Sequence, residues 1–363
     1  MSPSDKISRR AFAGLAAGAV LLPSAAHSAS PDASRSGSLS GSRPMPRTLI
    51  KPPRLHAGDV IGLVAPGGRI NDEAITYAVA RIDALGFRPR LAKNLRAVHG
   101  GYAGAVQQRV DDLHAMFTDR DVKAIWCVRG GSGCISLLAH IDYALIRANP
   151  KILLGYSDIS ALQLAILKQA RLVTFHGPVA LSGPSDYAVE HMLAVLMHRQ
   201  DSYTIPMALE NSRRALLEPH FSLRTVTSGQ ATGPLIGGNL SLVSALMGTP
   251  YAADFRKAIL FLEEVNEAPY RIDRWLTQLD LAVGLRHAAA VMIGICDRCG
   301  PEDEEPSLTL DETLDLHLKP LVIPAVSGYS FGHIRHQFTL PLGVMARLDT
   351  ARQTVTLLEP AVS

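Results

Sequence analysis

Short apolar segments alternate with helical patterns along residues 59–175, and this alternation constrains the fold most strongly. Residues 59–65, 122–128 and 152–154 have the length and composition of buried strands, whereas residues 106–117 carry apolar side chains at helical spacing. Strands that alternate with helices indicate a parallel sheet, because a parallel crossover is usually made by a helix. We therefore predict an α/β fold whose ligands bind outside the carboxyl ends of the strands.

The second half of the chain shows the same alternation. Residues 185–228 carry one helical pattern followed by polar, irregular sequence, which is typical of a connector. Strand-like segments then lie at residues 231–236, 258–262, 290–295 and 321–323, and a final hairpin at residues 344–348 and 354–359. We predict a first domain at residues 54–184, a connector at residues 185–228 and a second α/β domain at residues 229–363.

The first 28 residues have the pattern of an export signal. Arg9 and Arg10 are followed by Phe12, an Ala/Gly-rich apolar stretch comes next, and small residues surround Ala26 and Ser28. Paired arginines in this setting are typical of twin-arginine export, which predicts a periplasmic protein. Residues 29–53 are rich in Ser, Pro, Arg and Gly, and we interpret them as a disordered linker.

The composition argues against several functional classes. A net charge of +3 is too small to indicate nucleic acid as a partner. Four cysteines in 363 residues do not form a disulfide framework, and no apolar run after the N-terminus has the length of a membrane helix. A hydrophobic content of 47% indicates a globular protein with a large core.

A serine lies at the corner between one predicted strand and the next helix. The run Gly155-Tyr156-Ser157-Asp158 follows the apolar residues 152–154 and precedes a helical pattern at residues 161–169. Such a serine is either a helix N-cap or a nucleophile at the carboxyl end of a strand, where helix amides can hold an oxyanion. A nucleophile requires a base and an acid from elsewhere in the chain.

Loops after other predicted strands supply candidates for both. His333 lies in a Gly-containing loop, and His176 follows a strand-like segment, so either could be the base. Glu263 ends an apolar strand, where a carboxylate is either paired or functional, and Glu264 is a near alternative.

Two further motifs have less specific meanings. The turn Gly130-Gly131-Ser132-Gly133 follows a strand but has Ser136 where a dinucleotide fingerprint has its last glycine, so it fits an oxyanion hole equally well. Cys296 and Cys299 form a single C-x-x-C pair, which cannot make a four-thiolate zinc site. The residues imply no metal or organic cofactor.

Eight short motifs in fixed order connect residues 59–355 with a known family. They are Val64-Ala65-Pro66, Arg129-Gly130-Gly131, Gly155-Tyr156-Ser157-Asp158, His176-Gly177-Pro178, Gly237-Gly238-Asn239-Leu240, Leu262-Glu263, Pro269-Tyr270-Arg271 and Phe331-Gly332-His333. With these motifs the chain resembles the LD-carboxypeptidases of murein recycling and their relatives, the microcin C immunity peptidases.

The resemblance implies a fold and a catalytic triad. The fold is a flavodoxin-like N-terminal domain with a smaller α/β C-terminal domain of swivelling β/β/α type, in a homodimer. The triad positions correspond to Ser157, Glu263 and His333, and the backbone N–H groups of Gly131 and Asp158 correspond to the oxyanion donors.

The resemblance also implies a substrate. A serine carboxypeptidase of this family hydrolyses an L,D peptide bond and releases terminal D-Ala from a murein tetrapeptide. We expect substrate contacts from Arg129, Ser132, His176 and Arg271; Ser132 replaces the usual tyrosine of the Gly-rich turn, which leaves the substrate preference open. Two alternatives stand beside it: a peptidyl-nucleotide amide hydrolase and a non-enzymatic periplasmic binding protein.

Overall fold

The folded chain starts earlier than its sequence pattern predicts. A computed structural model describes residues 48–301 and 306–363, so the predicted export signal and most of the predicted linker lie outside the described residues. Ile50, within the predicted linker, pairs with Leu172 and donates its N–H to the carbonyl of Arg171 at 2.7 Å. Leu49 and Ile50 pack against the core, because their apolar side chains gain burial there. The expectation that the fold begins at about Arg54 was therefore wrong by several residues.

The first half of the chain forms a parallel sheet flanked by helices. Its strands are β1 (Val60–Val64), β2 (Arg88–Leu91), β3 (Val122–Cys127), β4 (Ile152–Gly155) and β5 (Phe175–His176). The helices are α1 (Asp72–Ala84), α2 (Val106–Thr118), α3 (Tyr143–Ala148), α4 (Ile159–Ala170) and α5 (Asp186–Met197). The strand order is β2-β1-β3-β4-β5 with every neighbouring pair parallel, which confirms the flavodoxin-like prediction.

Among its described residues, the second half supplies nine more strands and four helices. The strands are β6 (Tyr203–Ile205), β7 (Arg224–Thr227), β8 (Gln230–Asn239), β9 (Ile259–Glu263), β10 (Ala290–Gly294), β11 (Ala325–Tyr329), β12 (Leu340–Pro341), β13 (Met345–Asp349) and β14 (Thr354–Leu357). The helices are α6 (Leu209–Arg214), α7 (Leu240–Ala245), α8 (Pro269–Ala282) and α9 (Leu310–Leu318). All these strands except β12 form a second sheet with the order β6-β14-β13-β8-β9-β10-β11-β7. Its central strands β8 to β11 are parallel, and β13 and β14 form the predicted hairpin.

Three details of the second sheet differ from expectation. It has eight strands in the described chain against six in the first sheet, although the resemblance implied a smaller second domain. The predicted connector contributes both edge strands, β6 and β7, because their partner strands supply hydrogen bonds that the polar sequence does not signal. The strand expected at residues 321–323 is instead β11, since Val322 adopts a left-handed φ of 57° and Pro324 has no N–H to donate.

One segment of the second half crosses to the first sheet. After β11 the chain passes through residues 330–339, and β12 then pairs with β5, with Leu340 opposite His176. The chain returns to the second sheet at β13. We call residues 330–341 the strap, because they connect the two sheets.

Helix α4 is buried on almost every side. Residues 159–167 and Ala170 are buried, as expected of a helix that packs between two layers. It contacts β4 and β5 of the first sheet and β8 of the second. The start of α4 is therefore held in the shared core of both sheets. Within the described residues, no helix is both long and apolar enough to span a membrane.

Candidate active site

Ser157 lies in a tight turn between β4 and α4. Its φ is 65°, in the left-handed region, which costs a non-glycine residue about 1–2 kcal/mol. Asp158 occupies the N-cap position of α4, and Ser157 accepts a bond at its carbonyl from the N–H of Ser160 at 2.8 Å. Ser157 is therefore not the helix cap that one interpretation of the sequence required, and its strained backbone is typical of a functional turn.

The Gly-rich turn after β3 touches Ser157. A Cβ atom on Gly130 would lie 2.9 Å from the Cβ and 3.1 Å from the Oγ of Ser157, so a side chain at Gly130 would crowd the serine. Gly131 has a φ of 99°, and a Cβ atom there would lie 3.0 Å from Gly68. Gly130 thus allows the close approach to the serine turn, and Gly131 the approach to the loop after β1.

The two expected oxyanion donors lie beside this contact. The amide of Asp158 would be 3.3 Å from a Cβ on Gly130, and Gly131 is the next residue. Among residues 48–301 and 306–363, neither the Gly131 nor the Asp158 amide donates a hydrogen bond. The carboxylate of Asp158 accepts the N–H of Cys134 at 2.9 Å, which ties the Gly-rich turn to the serine turn. Both amides are thus available to a negatively charged oxygen.

Glu263 and His333 form a hydrogen-bonded ion pair. Nδ1 of His333 lies 2.7 Å from Oε2 of Glu263, whose side chain is completely buried at the end of β9, while 17% of the His333 side chain is exposed. With Nδ1 donating to the carboxylate, Nε2 is the ring nitrogen that can exchange a proton.

The electrostatics of the pair favour a charged carboxylate. Burial raises the pKa of Glu263, but attraction and hydrogen bonding to His333 outweigh it, so the net pKa is lowered. Burial lowers the pKa of His333, but Glu263 outweighs it and the net pKa is raised. Each partner therefore stabilises the charged form of the other, as a histidine base held by a carboxylate requires.

The pair lies next to the serine turn through Tyr156. The rings of Tyr156 and His333 are 4.7 Å apart, and Tyr156 directly precedes Ser157. Among the described residues, no hydrogen bond joins the Oγ of Ser157 to His333. The structure thus brings Glu263 and His333 together beside Ser157 without closing the last contact.

The residues expected to bind substrate differ in their exposure and in the partners that they already have. Arg129 and Ser132 are exposed beside Gly131; within the described chain Arg129 forms no ion pair, and its guanidinium donates to the carbonyl of Arg69 at 3.3 Å. Arg271 instead binds Glu267 at 2.9 Å and the hydroxyl of Tyr270 at 2.9 Å. His176 is 0% exposed, so the prediction that it contacts substrate was wrong: its ring is enclosed by core side chains.

Asn239 and Glu264 connect the two sheets at the site, and sequence reasoning assigned no role to Asn239. The N–H of Asn239 donates to the Oγ of Ser160 on α4 at 3.0 Å, and its side chain donates to Glu264 at 2.8 Å. Gly237 and Gly238 make this possible, since a Cβ on Gly237 would lie 1.7 Å from the carbonyl oxygen of Phe261. The Gly237-Gly238-Asn239 motif was the sequence signal that could have indicated this role of Asn239.

One described cluster has the spacing of a metal site. The ligand atoms of Glu218, His220 and Asp297 lie within 4.8 Å of one another. Both oxygens of Glu218, however, accept hydrogen bonds from Arg214, at 2.5 and 2.8 Å. The arginine already neutralises this carboxylate, so we assign no metal to the cluster.

Comparisons with known proteins give a consistent result. The LD-carboxypeptidase N-terminal domain matches residues 61–177, and the LD-carboxypeptidase C-terminal domain matches residues 232–348. A probable murein peptide carboxypeptidase of Bacillus subtilis is 36% identical over 85% of this chain and 94% of its own length. The murein tetrapeptide carboxypeptidase of Pseudomonas aeruginosa is 28% identical over 80% of this chain and 94% of its own.

A solved structure agrees with the observed fold. The crystal structure of an MccF-like protein from Bacillus anthracis superimposes with a TM-score of 0.75 at 28% identity, covering 85% of this chain and 99% of that one. The similarity therefore extends over both sheets.

Proposed function

The chain belongs to the LD-carboxypeptidase family of serine carboxypeptidases, and on that premise we propose that it releases terminal D-Ala from murein tetrapeptides. The observation that supports the proposal most directly is the buried Glu263–His333 pair beside a strained serine. The names of the relatives support the choice of substrate.

The proposed mechanism is acyl transfer through Ser157. Nε2 of His333 accepts the hydroxyl proton while Oγ attacks the carbonyl carbon of the L,D peptide bond. The resulting oxyanion is held by the amides of Gly131 and Asp158, each worth about 3–4 kcal/mol by analogy with other serine peptidases. The imidazolium then protonates the amine of D-Ala, which leaves, and a water molecule activated by His333 hydrolyses the acyl-enzyme.

Arg129 is the proposed ligand of the substrate's terminal carboxylate. Its Nε would lie 3.3 Å from a Cβ on Gly68 and 3.7 Å from a Cβ on Gly131, so the guanidinium lies next to the proposed oxyanion hole. An arginine matches a carboxylate with two parallel hydrogen bonds, which suits an exopeptidase that must recognise a chain end. Arg271 is a less suitable candidate because Glu267 already binds it.

Substitution of Ser157 tests the proposal. We expect Ser157→Ala to abolish D-Ala release from purified tetrapeptide muropeptide, read by mass spectrometry, because the acyl-enzyme cannot form. Ser202→Ala, at an exposed position on a loop, is the matched control and should keep the wild-type rate. Release by the alanine variant at the wild-type rate would exclude the serine mechanism.

The same assay separates the alternatives. Incubation with a peptidyl-nucleotide amide in place of tetrapeptide tests the peptidyl-nucleotide amide hydrolase. A binding protein would retain its ligand in both wild type and Ser157→Ala and would cleave neither compound.

We further propose that the protein is exported and acts as a homodimer on periplasmic muropeptides, with the twin-arginine pattern and the family resemblance as support.

A further inference from the structure

His176 is a buried histidine whose ring nitrogens have no partner. The side chain is 0% exposed, and within the described chain neither Nδ1 nor Nε2 forms a hydrogen bond. A buried polar atom without a partner destabilises the folded state, because it has lost its hydrogen bonds to water. A histidine retained in such a position therefore needs a reason other than packing.

Three aromatic rings hold the His176 ring in place. Their centroids lie 6.1 Å away for Tyr156, 5.5 Å for Phe261 and 6.5 Å for Phe331, all in edge-on arrangements. Each ring adjoins the proposed catalytic machinery in sequence: Tyr156 precedes the serine, Phe261 lies two residues before Glu263, and Phe331 two residues before His333. His176 is thus placed at the centre of the three segments that carry the proposed triad.

Glu263 has a carboxylate oxygen that lacks a hydrogen-bond donor. Its Oε2 accepts the bond from His333, whereas Oε1 is buried and accepts no hydrogen bond among the described residues. The amide of Asn239 helps to lower the pKa of Glu263, but it donates its hydrogen bond to Glu264 at 2.8 Å. Side chains two residues apart on a strand share a face, so Glu263 lies on the same face of β9 as Phe261, which contacts His176. An orphaned acceptor and an orphaned donor therefore lie on one side of the same strand.

We propose that His176 is a positioning residue for Glu263: an N–H of its neutral imidazole donates to Oε1 through one bound water molecule. The inference rests on the proposed function, because it gives His176 a purpose only if Glu263 orients the base. A carboxylate held at both oxygens keeps its orientation, so Glu263 continues to present Oε2 to His333.

The charge state of His176 is consistent with this role. Burial lowers its pKa to about 4, so the ring is neutral at the pH at which a histidine base works and carries one N–H. The titratable groups that influence the Glu263–His333 pair from other elements are Tyr156, His176, Glu264, Cys296 and Asp297.

The direction of the effect on His333 follows from the hydrogen bond. A donor at Oε1 withdraws part of the negative charge of Glu263 and so weakens its hold on the His333 proton. Removing the donor strengthens that hold. The pKa of His333 should therefore rise, and the acidic limb of the kcat/KM profile should move to higher pH.

The test compares His176→Phe, which fills the space without a donor, with His176→Gln, which keeps one. We expect the phenylalanine variant to lower kcat about 10- to 100-fold with KM little changed, and to move the acidic limb up by about half a pH unit. The glutamine variant should recover part of the lost kcat and reverse part of the shift in the acidic limb. His198→Gln, at an exposed position after α5, is the control and should behave as wild type.

A readout without substrate separates this inference from the proposed function. NMR titration of the His333 ring should show a higher pKa in His176→Phe than in wild type, even if tetrapeptide is not the substrate. A folded phenylalanine variant with an unmoved His333 titration would overturn the positioning role. If wild type does not cleave tetrapeptide but the pKa of His333 still rises in His176→Phe, only the proposed substrate is overturned.

Discussion

At the scale of single residues, close approach of backbone decides the proposed chemistry. Gly130 leaves room for Ser157 only because it has no side chain, and the left-handed Ser157 is held by the start of α4. Strain of this kind persists where the surrounding structure determines the conformation, here the buried helix α4 and the Gly-rich turn.

Gly130→Ala should reduce activity more than it reduces stability. Its methyl group would lie about 3 Å from the Cβ and Oγ of Ser157, so the serine must shift by a few tenths of an ångström. We expect kcat to fall by about 10-fold, since even a small misplacement of a reacting group is costly. Gly101→Ala, where a Cβ meets no atom within 4 Å, is the control. Steady-state kinetics and thermal unfolding check both; equal kinetics in the two variants would contradict the prediction.

At the scale of the element, the end of β9 places two adjacent carboxylates in different surroundings. Glu263 binds His333, whereas Glu264 accepts hydrogen bonds from Asn239, Ser241 and Val265 at 2.8–3.0 Å. Alternation along the strand explains the division, because neighbouring side chains point to opposite faces. One strand thereby supplies both the carboxylate of the proposed triad and the link to α7.

Glu264 should make stability depend on pH. Burial, and then the charge of Glu263, raise its pKa to about 7 against an ordinary value of 4.5. A carboxyl with a raised folded pKa contributes stability fully below its unfolded pKa and loses it as pH rises through the folded value. We expect the loss between pH 5 and pH 8 to be about 2 kcal/mol.

Glu264→Gln isolates this contribution, because glutamine does not titrate. Urea unfolding of wild type and variant should show that the difference in unfolding free energy changes in favour of glutamine as pH rises from 5 to 8. A pH-independent difference between the two proteins would show that Glu264 is already charged at pH 5. Glu359→Gln, whose carboxyl has a lowered pKa, should not show the trend.

At the scale of the whole molecule, the strap assembles the site. Ser157 follows a strand of the first sheet, Glu263 ends a strand of the second, and His333 lies on the strap, residues 330–341. Asn211 on α6 donates to Ser330 and to the carbonyl of His336, which anchors this segment. The two sheets also share one core cluster around α4.

The two sheets should therefore unfold together. Trp126 lies in β3 of the first sheet and Trp275 in α8 of the second half, and the chain has no other tryptophan. Urea titrations of Trp126→Phe and Trp275→Phe, each followed by the remaining fluorophore, should give single transitions that coincide with the helix signal of the same variant. Leu340→Asp places a charge at a fully buried position in β12 and should lower the midpoint strongly, whereas Leu316→Asp, at an exposed position, should not. Separate transitions for the two sheets would contradict the prediction.

Local patterns predicted much of this protein from sequence. Strand–helix alternation indicated the parallel sheet, and Asn71 caps α1 by a local contact, since its side chain accepts the N–H of Ala74 at 2.9 Å. The apolar run before Gly155 placed Ser157 at a strand end, and the family motifs pointed to Glu263 and His333. These features are readable because periodicity, capping and turn chemistry depend on neighbours within a few residues.

Tertiary structure decided what long-range contacts control. Strands β6 and β7 exist because their partners supply hydrogen bonds, and β12 belongs to the first sheet although it lies far along the chain. His176 changed from an expected substrate contact to a buried neighbour of Glu263, because three rings from distant segments enclose it. The sequence by itself determined which residues have suitable chemistry; the packing of two sheets around α4 determined which of them meet, since burial and pairing arise only when distant segments come together.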